Sequence, residues 1–332
     1  MLAVIILNWN GRKVMEEFLP SVVKYTEGPE VEVIVADNGS TDDSVEWLKR
    51  NYSSVRLLEF PENYGFAGGY DRAIREVNAD YTLLLNSDVE VTRDWWQPLL
   101  AFMESHPEAG AVQPKILSYR TKESFEHAGA AGGMLDRLGY PYCRGRVLSR
   151  VEVDKGQYDS EEAEQVAWAT GAAMLVRTKA YFEAGGLDPA FFAHMEEIDL
   201  CWRMMLAGYK IYALSSSSVY HLGGGALAYG NPRKTYLNFR NNLLMLHKNL
   251  PRGIGRRRLF LRRLADTLGF MFFLLQGKTG DARAVLKAHR DFRRMRKNYT
   301  EFPDGDITKD IPGTSRYVYL DFILGKNPNE KK

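Results

Sequence analysis

Cysteine is scarce in this chain of 332 residues: Cys143 and Cys201 are the only two. They are far apart and form no paired framework, which excludes a disulfide-stapled scaffold and suits a reducing compartment. Long apolar runs are missing too. No stretch reaches the roughly 18 apolar residues that span a bilayer. The run Leu2 to Leu7 has no basic segment before it and no small-residue cleavage site after it, and Asn8-Trp9-Asn10-Gly11 ends it abruptly. It reads as a buried first strand and not as a signal peptide. Internal repeats, long low-complexity tracts and nucleic-acid recognition motifs are all absent, so no nucleic acid is expected as a partner.

What is present suits a globular enzyme-sized protein. Hydrophobic residues make up 45% and the formal net charge is only +2, so a sizeable core is possible. The near-neutral total hides an asymmetry. Between Arg252 and Lys297 the only acids are Asp266, Asp281 and Asp291, against a dense run of Arg and Lys. The front two-thirds is therefore acidic. That polarity suits a cation held in the front and an anionic partner for the back.

The first half alternates between apolar, β-branched runs and helical segments. Strands are expected at Ala3–Leu7, Val31–Ala36, Val55–Phe60, Tyr81–Leu85 and Ala109–Ile116. Helices are expected at Val14–Tyr25, Thr41–Arg50 (capped by Ser40 or Thr41), Phe66–Val77 and Asp94–Ser105. Such alternation predicts an α/β fold with a mostly parallel central sheet and helices on both faces. From Ser118 to Gln165 the pattern weakens into an insertion with short strands. It resumes with Val166–Val176, a helix near Thr178–Ala184, a strong helix at Glu196–Ala207 and strand structure at Ile211–His221. Beyond Asn231 the chain is helical and basic, and Pro303–Lys332 reads as a loosely packed tail. The implied division is an α/β domain over 1–230, a basic helical extension over 231–300 and a C-terminal tail over 301–332.

Polar residues gather just after successive strands, where open α/β sheets bind ligands. Asn8 and Asn10 follow the first strand; Asp37 and Asn38 follow the second; Asn86 and Asp88 follow the fourth. Asp37 can accept hydrogen bonds from a base imide or ribose hydroxyls, although Asp37 to Asp42 also serves as a turn and helix start. Asn63-Tyr64-Gly65-Phe66-Ala67-Gly68-Gly69 is a glycine-rich junction before a helix, suited to close backbone approach or simply to a tight turn. Asn86-Ser87-Asp88 closes a fully apolar strand, and its hard oxygens suit Mg²⁺ or Mn²⁺. Asp199 and Arg203 form an i,i+4 structural pair. Glu196 and Glu197 open the same helix behind the apolar approach Phe191 to Met195, where a carboxylate can take a proton from a hydroxyl. His221 precedes Gly223-Gly224-Gly225 and serves either as a structural residue or as a late ligand to the same ion.

In this order the segments Val4–Gly11, Val35–Asp42, Asn63–Gly69, Leu83–Asp88, Thr170–Met174, Phe191–Arg203 and Val219–His221 resemble the family 2 inverting glycosyltransferases of the GT-A fold, especially bacterial rhamnosyltransferase-like members. The likeness covers residues 2 to 225. It implies that Asp37 binds the nucleotide base or ribose, within a donor site that takes in Asn8, Asn10, Asn38, Asn63, Gly65, Phe66, Gly68 and Asn86. Asp88 matches the last acid of the family's DxD metal motif, with Asn86 in place of its first. Glu197 falls on the catalytic-base position, with glutamate in place of the usual aspartate, so that either Glu197 or Glu196 beside it can reach the acceptor, and His221 matches the metal-ligand histidine. The implied reaction is transfer of a hexose or deoxyhexose, rhamnose among them, from a dTDP-, UDP- or GDP-linked donor. The acceptor hydroxyl would belong to a lipid-linked or polysaccharide acceptor, and the anomer would be inverted in one displacement. The rivals are a nucleotidyltransferase, for which Arg12 and Lys13 offer no glycine-rich phosphate loop, and a catalytically inactive sugar-nucleotide or glycan-binding module.

The basic extension mixes Leu259-Phe260-Leu261, Leu264 and Leu268 to Leu275 with Arg262, Arg263 and Asp266. Those charges forbid spanning. The mix suits a helix lying on an anionic membrane surface, or one packed on the catalytic domain with its arginines solvated. The expected location is cytoplasmic, either free or peripheral on the inner face of the cytoplasmic membrane.

Overall fold

Strand β1 (Leu2–Asn8) lies inside the sheet, and its side chains alternate between two buried faces. Leu2, Val4 and Ile6 join one core layer with Met15 and Leu19, while Ala3 and Ile5 join the other with Ala67, Tyr70 and Trp202. A strand covered on both sides has no polar alternation to show, which is why it reads as one apolar run. A computed structural model describes residues 1–126, 129–223 and 231–329.

β1 pairs in parallel with β2 (Val31–Asn38) and β4 (Tyr81–Asn86), and β2 pairs in parallel with β3 (Arg56–Phe60). Crossovers run through α1 (Arg12–Tyr25), α2 (Ser44–Asn51) and α3 (Gly65–Arg75). A short β5 (Val89–Val91) and α4 (Gln97–Ser105) lead into β6 (Ala109–Ser118). An insertion of four two- or three-residue strands forms a small antiparallel sheet: β7 (Gly133–Leu135), β8 (Pro141–Cys143), β9 (Arg146–Val147) and β10 (Arg150–Val151). The chain then re-enters the main sheet through β11 (Glu164–Val166) and β12 (Ala173–Arg177). Next come α5 (Thr178–Glu183), a 3₁₀ turn at Pro189–Phe191, α6 (Glu196–Leu206) and β13 (Lys210–His221). The main sheet runs β11-β13-β6-β12-β4-β1-β2-β3, with β5 paired to β13. Helices α7 (Pro232–Asn249), α8 (Arg252–Leu275) and α9 (Thr279–Met295) pack on one another, and α10 (Val318–Ile323) closes the chain.

Several expectations need correction. The Val166–Val176 run is two elements, and β12 lies antiparallel between β4 and β6, so the parallel order breaks there. Helix α2 starts at Ser44 because the Ser40 hydroxyl is taken by the backbone N–H of Asn10 at 2.9 Å. Helix α4 starts at Gln97, after Asp94 takes a left-handed φ of 56°. Part of the segment after 303 is docked and not loose: Val318, 1% exposed, packs with Tyr142 and Val147, and its N–H reaches Asp136 at 3.1 Å. The hydrophobic partners of that tail lie in the insertion, which has too little periodicity to reveal them.

Candidate active site

Asn8 and Asp37 end neighbouring strands in register. The Asn8 amide donates to Asp37 Oδ1 at 2.8 Å, and the Ser40 N–H donates to Asp37 Oδ2 at 2.9 Å. Asn10, at φ 51°, accepts from the N–H of Thr41 at 2.7 Å. These bonds tie the first two strand ends into one cradle, and each Asp37 oxygen keeps a further lone pair. Trp9 stands between the two asparagines with 55% of its surface exposed. The sequence singled out its neighbours and missed it, although an exposed indole on a rigid turn offers a face to a planar ring.

Asn38 works as a staple. Its amide donates to Asn63 Oδ1 at 3.1 Å and to the Gly65 carbonyl at 3.0 Å, and its own oxygen accepts from the Tyr64 N–H at 3.1 Å. Gly65 has φ +73°, and a Cβ there would sit 2.6 Å from the Phe192 ring. Glycine is required on both counts. Beside it, the Ala67 N–H donates to the Phe192 carbonyl at 3.1 Å. A Cβ on Gly68 would meet Pro189, and one on Gly171 would meet the Phe66 ring at 3.0 Å. The glycine-rich junction is thus pressed directly against the chain that leads into α6.

Asp88 and His221 meet because β5 pairs antiparallel with β13, His221 opposite Val89. His221 Nε2 lies 3.1 Å from Asp88 Oδ1 and 3.3 Å from the Asn86 amide, while Nδ1 lies 3.2 Å from Glu126 Oε2. Burial pulls the imidazole pKa down, but hydrogen bonds to Asp88 and Glu126 and their charges outweigh it and raise the pKa to about 10. Nothing in the sequence marks Glu126, which sits in the irregular insertion. Gly224 and Gly225 lie outside the described residues.

Glu196 and Glu197 stand at the N-terminus of α6. The Asn86 N–H donates to the Ala172 carbonyl at 2.9 Å, and a Cβ on Gly171 would lie 3.8 Å from Glu197 Cβ. Glu197 therefore shares the strand-end that carries Asn86 and Asp88. One oxygen of each glutamate, Oε2, is buried without a hydrogen-bond partner. Burial raises the Glu197 pKa to about 7; Glu196 is raised well above its ordinary value by burial and then by the neighbouring charge. The approach is held under tension: Phe192, His194 and Met195 all take left-handed φ angles of 65–72°. Such conformations persist only when surroundings impose them. Here Arg240 Nη2 donates to the carbonyls of Ala190 (2.9 Å) and Phe191 (2.8 Å). The Asn241 amide donates to those of Phe191, Ala193 and His194 at 2.7–3.0 Å. Behind the helix, fully buried Asp199 is held by Arg203, by Lys248 at 3.1 Å and by Asn249 at 2.8 Å. The sequence read the Arg203 pair and missed the two α7 partners. A cavity of about 180 Å³ lined by Val35, Leu48 and Leu57 lies elsewhere and contains none of these groups.

Comparison with known proteins agrees with this architecture. Residues 3–158 match the family model for glycosyl transferase family 2. Over 240 residues the chain is 29% identical to the N-acetylglucosaminyl-diphospho-decaprenol L-rhamnosyltransferase of Mycobacterium tuberculosis, covering 67% of this chain and 76% of that one. Among solved structures it resembles residues 1–349 of Staphylococcus aureus TarS in complex with UDP-GlcNAc, with TM-score 0.56, 17% identity, and coverage of 98% and 92%. It also resembles the mannosyltransferase PcManGT of Pyrobaculum calidifontis in complex with GDP-Man and Mn²⁺, with TM-score 0.52, 14% identity, and coverage of 88% and 86%. The matched segment, the sheet order and these relatives together show a glycosyl transferase family 2 segment over residues 3–158 in a glycosyltransferase built on the GT-A fold.

Proposed function

We propose that this enzyme moves a deoxyhexose or hexose, rhamnose first among them, from a nucleoside-diphosphate donor to a hydroxyl of a lipid-linked or polysaccharide acceptor, with inversion. The carrying observation is the half-buried Glu197 carboxylate, with its Oε2 buried and unpartnered and a pKa near 7, beside the strand-end that presents Asp88 and His221. Two adjacent glutamates cannot both ionise cheaply in a buried place. Glu196, 3% exposed, keeps its proton, and Glu197, the less buried of the two, ionises near neutrality and serves as the base. A base tuned close to working pH is the efficient case for proton abstraction.

The donor side follows the same logic. Asp37, fixed by Asn8 and Ser40, takes the base or ribose, and Trp9 stacks on the base. Asn10 shapes the turn that carries Trp9, and Asn38 and Asn63 hold the glycine-rich junction in place. The cation reading passes a test on its donor set. His221, as an imidazolium, itself answers the charge of the two carboxylates; an ion would displace its Nε2 proton, with the Nδ1–H kept on Glu126, so that Nε2 would ligate beside Asp88. Among the described residues no three His, Cys, Asp or Glu side chains are grouped to hold an ion alone. Asp88 and His221 would therefore hold Mg²⁺ or Mn²⁺ together with donor phosphate and water, as suits such hard ions. When bound, it supplies neutralisation of the charge that grows on the leaving diphosphate.

The experiment is a screen of dTDP-, UDP- and GDP-sugars with Mn²⁺ for hydrolysis and transfer, run on wild type, Asp88→Asn and Glu197→Gln. One donor should stand out, and both variants should lose its turnover. Unchanged turnover in either variant removes that residue from the mechanism.

A further inference from the structure

Helix α8 presents two opposite faces. Leu259, Arg262 and Asp266 point inward and are at most 7% exposed. On the far side Phe260, Leu264, Leu268, Met271 and Leu275 recur at helical spacing, with Leu268 73% and Leu275 84% exposed. Among the described residues nothing covers this stripe. A side chain left apolar in water at five consecutive turns marks a surface that meets something apolar.

The charges decide what that is. Arg256 and Arg257 are exposed at the head of the stripe and Lys278 just past its end. On α9, Arg283, Lys287, Arg290, Arg293 and Arg294 are exposed too. The three acids of the same stretch are withdrawn: Asp266 and Asp281 are buried, and Asp291 is bonded to Lys287 and Tyr236. A second copy of the chain laid on this face would bring one cationic helix against another. An anionic lipid surface offers both acyl chains for the stripe and opposite charge for its flanks. No helix among the described residues is long and apolar enough to cross a membrane, so the fitting geometry is a helix lying in the interface plane.

We infer that α8 is a membrane-docking helix that seats the enzyme on anionic lipid through Phe260, Leu264, Leu268, Met271 and Leu275. It deepens the reading of a lipid-linked acceptor, yet docking is separable from transfer. The seat is rigidly joined to the active site. Arg262 of α8 bonds Asn242, the residue next to Asn241, and Asn241 and Arg240 hold the carbonyls before Glu197. Docking therefore fixes how the reaction cleft is oriented over the bilayer.

The test is co-sedimentation of the full chain with vesicles of phosphatidylcholine alone or with phosphatidylglycerol, without donor or acceptor, so its result stands apart from that of the transfer assay. Wild type should pellet with the anionic vesicles and be released in part by salt. The double variant Leu268→Glu, Leu275→Glu should bind about a hundredfold more weakly, with hydrolysis of soluble donor unchanged. Arg256→Glu with Arg257→Glu should cost about tenfold or more on anionic vesicles. Equal pelleting of wild type and the leucine variant overturns the inference. So does a wild-type dimer in solution that the leucine variant converts to monomer, which would make the stripe a contact between copies.

Discussion

Replacing Glu197 by glutamine removes a proton acceptor and, above neutral pH, a charge; the consequences for rate and stability have opposite signs. Burial moves this carboxyl from its ordinary 4.5 to about 7. A rise of about 2.5, at ~1.4 kcal/mol for each, sets an upper bound of ~3.5 kcal/mol on what ionisation costs the folded state. Glu197 is only partly shielded from water, and a buried amide without a partner costs ~1 kcal/mol in its own right. The net expectation is a variant more stable than wild type by ~1–2 kcal/mol at pH 8. The sign follows from where protons bind. Between 4.5 and 7 the folded state holds the proton more tightly than the unfolded one, so wild type loses stability as pH rises through that window. At pH 5 the folded carboxyl is already protonated and the advantage of glutamine largely vanishes. Melting curves of both proteins at pH 5 and pH 8 measure the difference. Turnover should move the other way, falling by about 10²–10⁴-fold in the variant. In wild type, turnover should climb about tenfold per pH unit below 7 and level above it. Identical melting at pH 8, or an advantage that persists undiminished at pH 5, refutes the burial argument; preserved turnover refutes the assignment of the base.

Other perturbations test the supports. Arg240→Ala leaves the Ala190 and Phe191 carbonyls short of a donor and should cost ~2–4 kcal/mol in urea unfolding. It should lower kcat more than it raises donor KM, with Arg240→Lys restoring only part because the planar fork is lost. Gly65→Ala forces a left-handed Cβ into the Phe192 ring; stability should fall by ~3 kcal/mol or more, and nucleotide binding read by calorimetry should weaken. In Asp88→Asn the thermal stabilisation by nucleotide should no longer respond to added Mn²⁺, and a full Mn²⁺ response would remove Asp88 from the ion site.

How much of this was legible depended on how local the information was. Asn8, Asp37, Asn86 and Asp88 were visible because a buried parallel strand is an unbroken apolar run, and the first polar residues after it must lie at its carboxyl end. The break in parallel order was not visible. The residues of β12 are as apolar as those of any parallel strand, and direction leaves no mark on a strand buried on both faces. Glu126 and the Arg240–Asn241 pair act across more than 45 residues of chain, a separation at which spacing carries no signal. The Asn38 side chain shows a subtler limit. Its position at a strand end was readable, but whether its amide faces a ligand or staples a neighbouring loop depends on Asn63 and Gly65 being folded beside it.

The segment that matches the family model stops at residue 158, yet the proposed site does not. Asp88 lies inside it, whereas Glu197, His221 and the Arg240–Asn241 clamp come from β13 and the helices around it. These parts cannot be separated, because β12 fills the gap between β4 and β6 and β13 completes the sheet beyond β6. The left-handed run before Glu197 adds a reason for this arrangement. A helix start approached through Phe192, His194 and Met195 at positive φ is costly by itself. It is held only when α7 is docked and its amide and guanidinium groups reach those carbonyls. The proposed base thus acquires its place only once the helical extension has folded onto the sheet. A chain truncated before α7 should keep the sheet and the Asp37 cradle while losing the position of Glu197, so that nucleotide still raises its melting temperature but no sugar is transferred. Transfer by such a fragment would show that the clamp is dispensable.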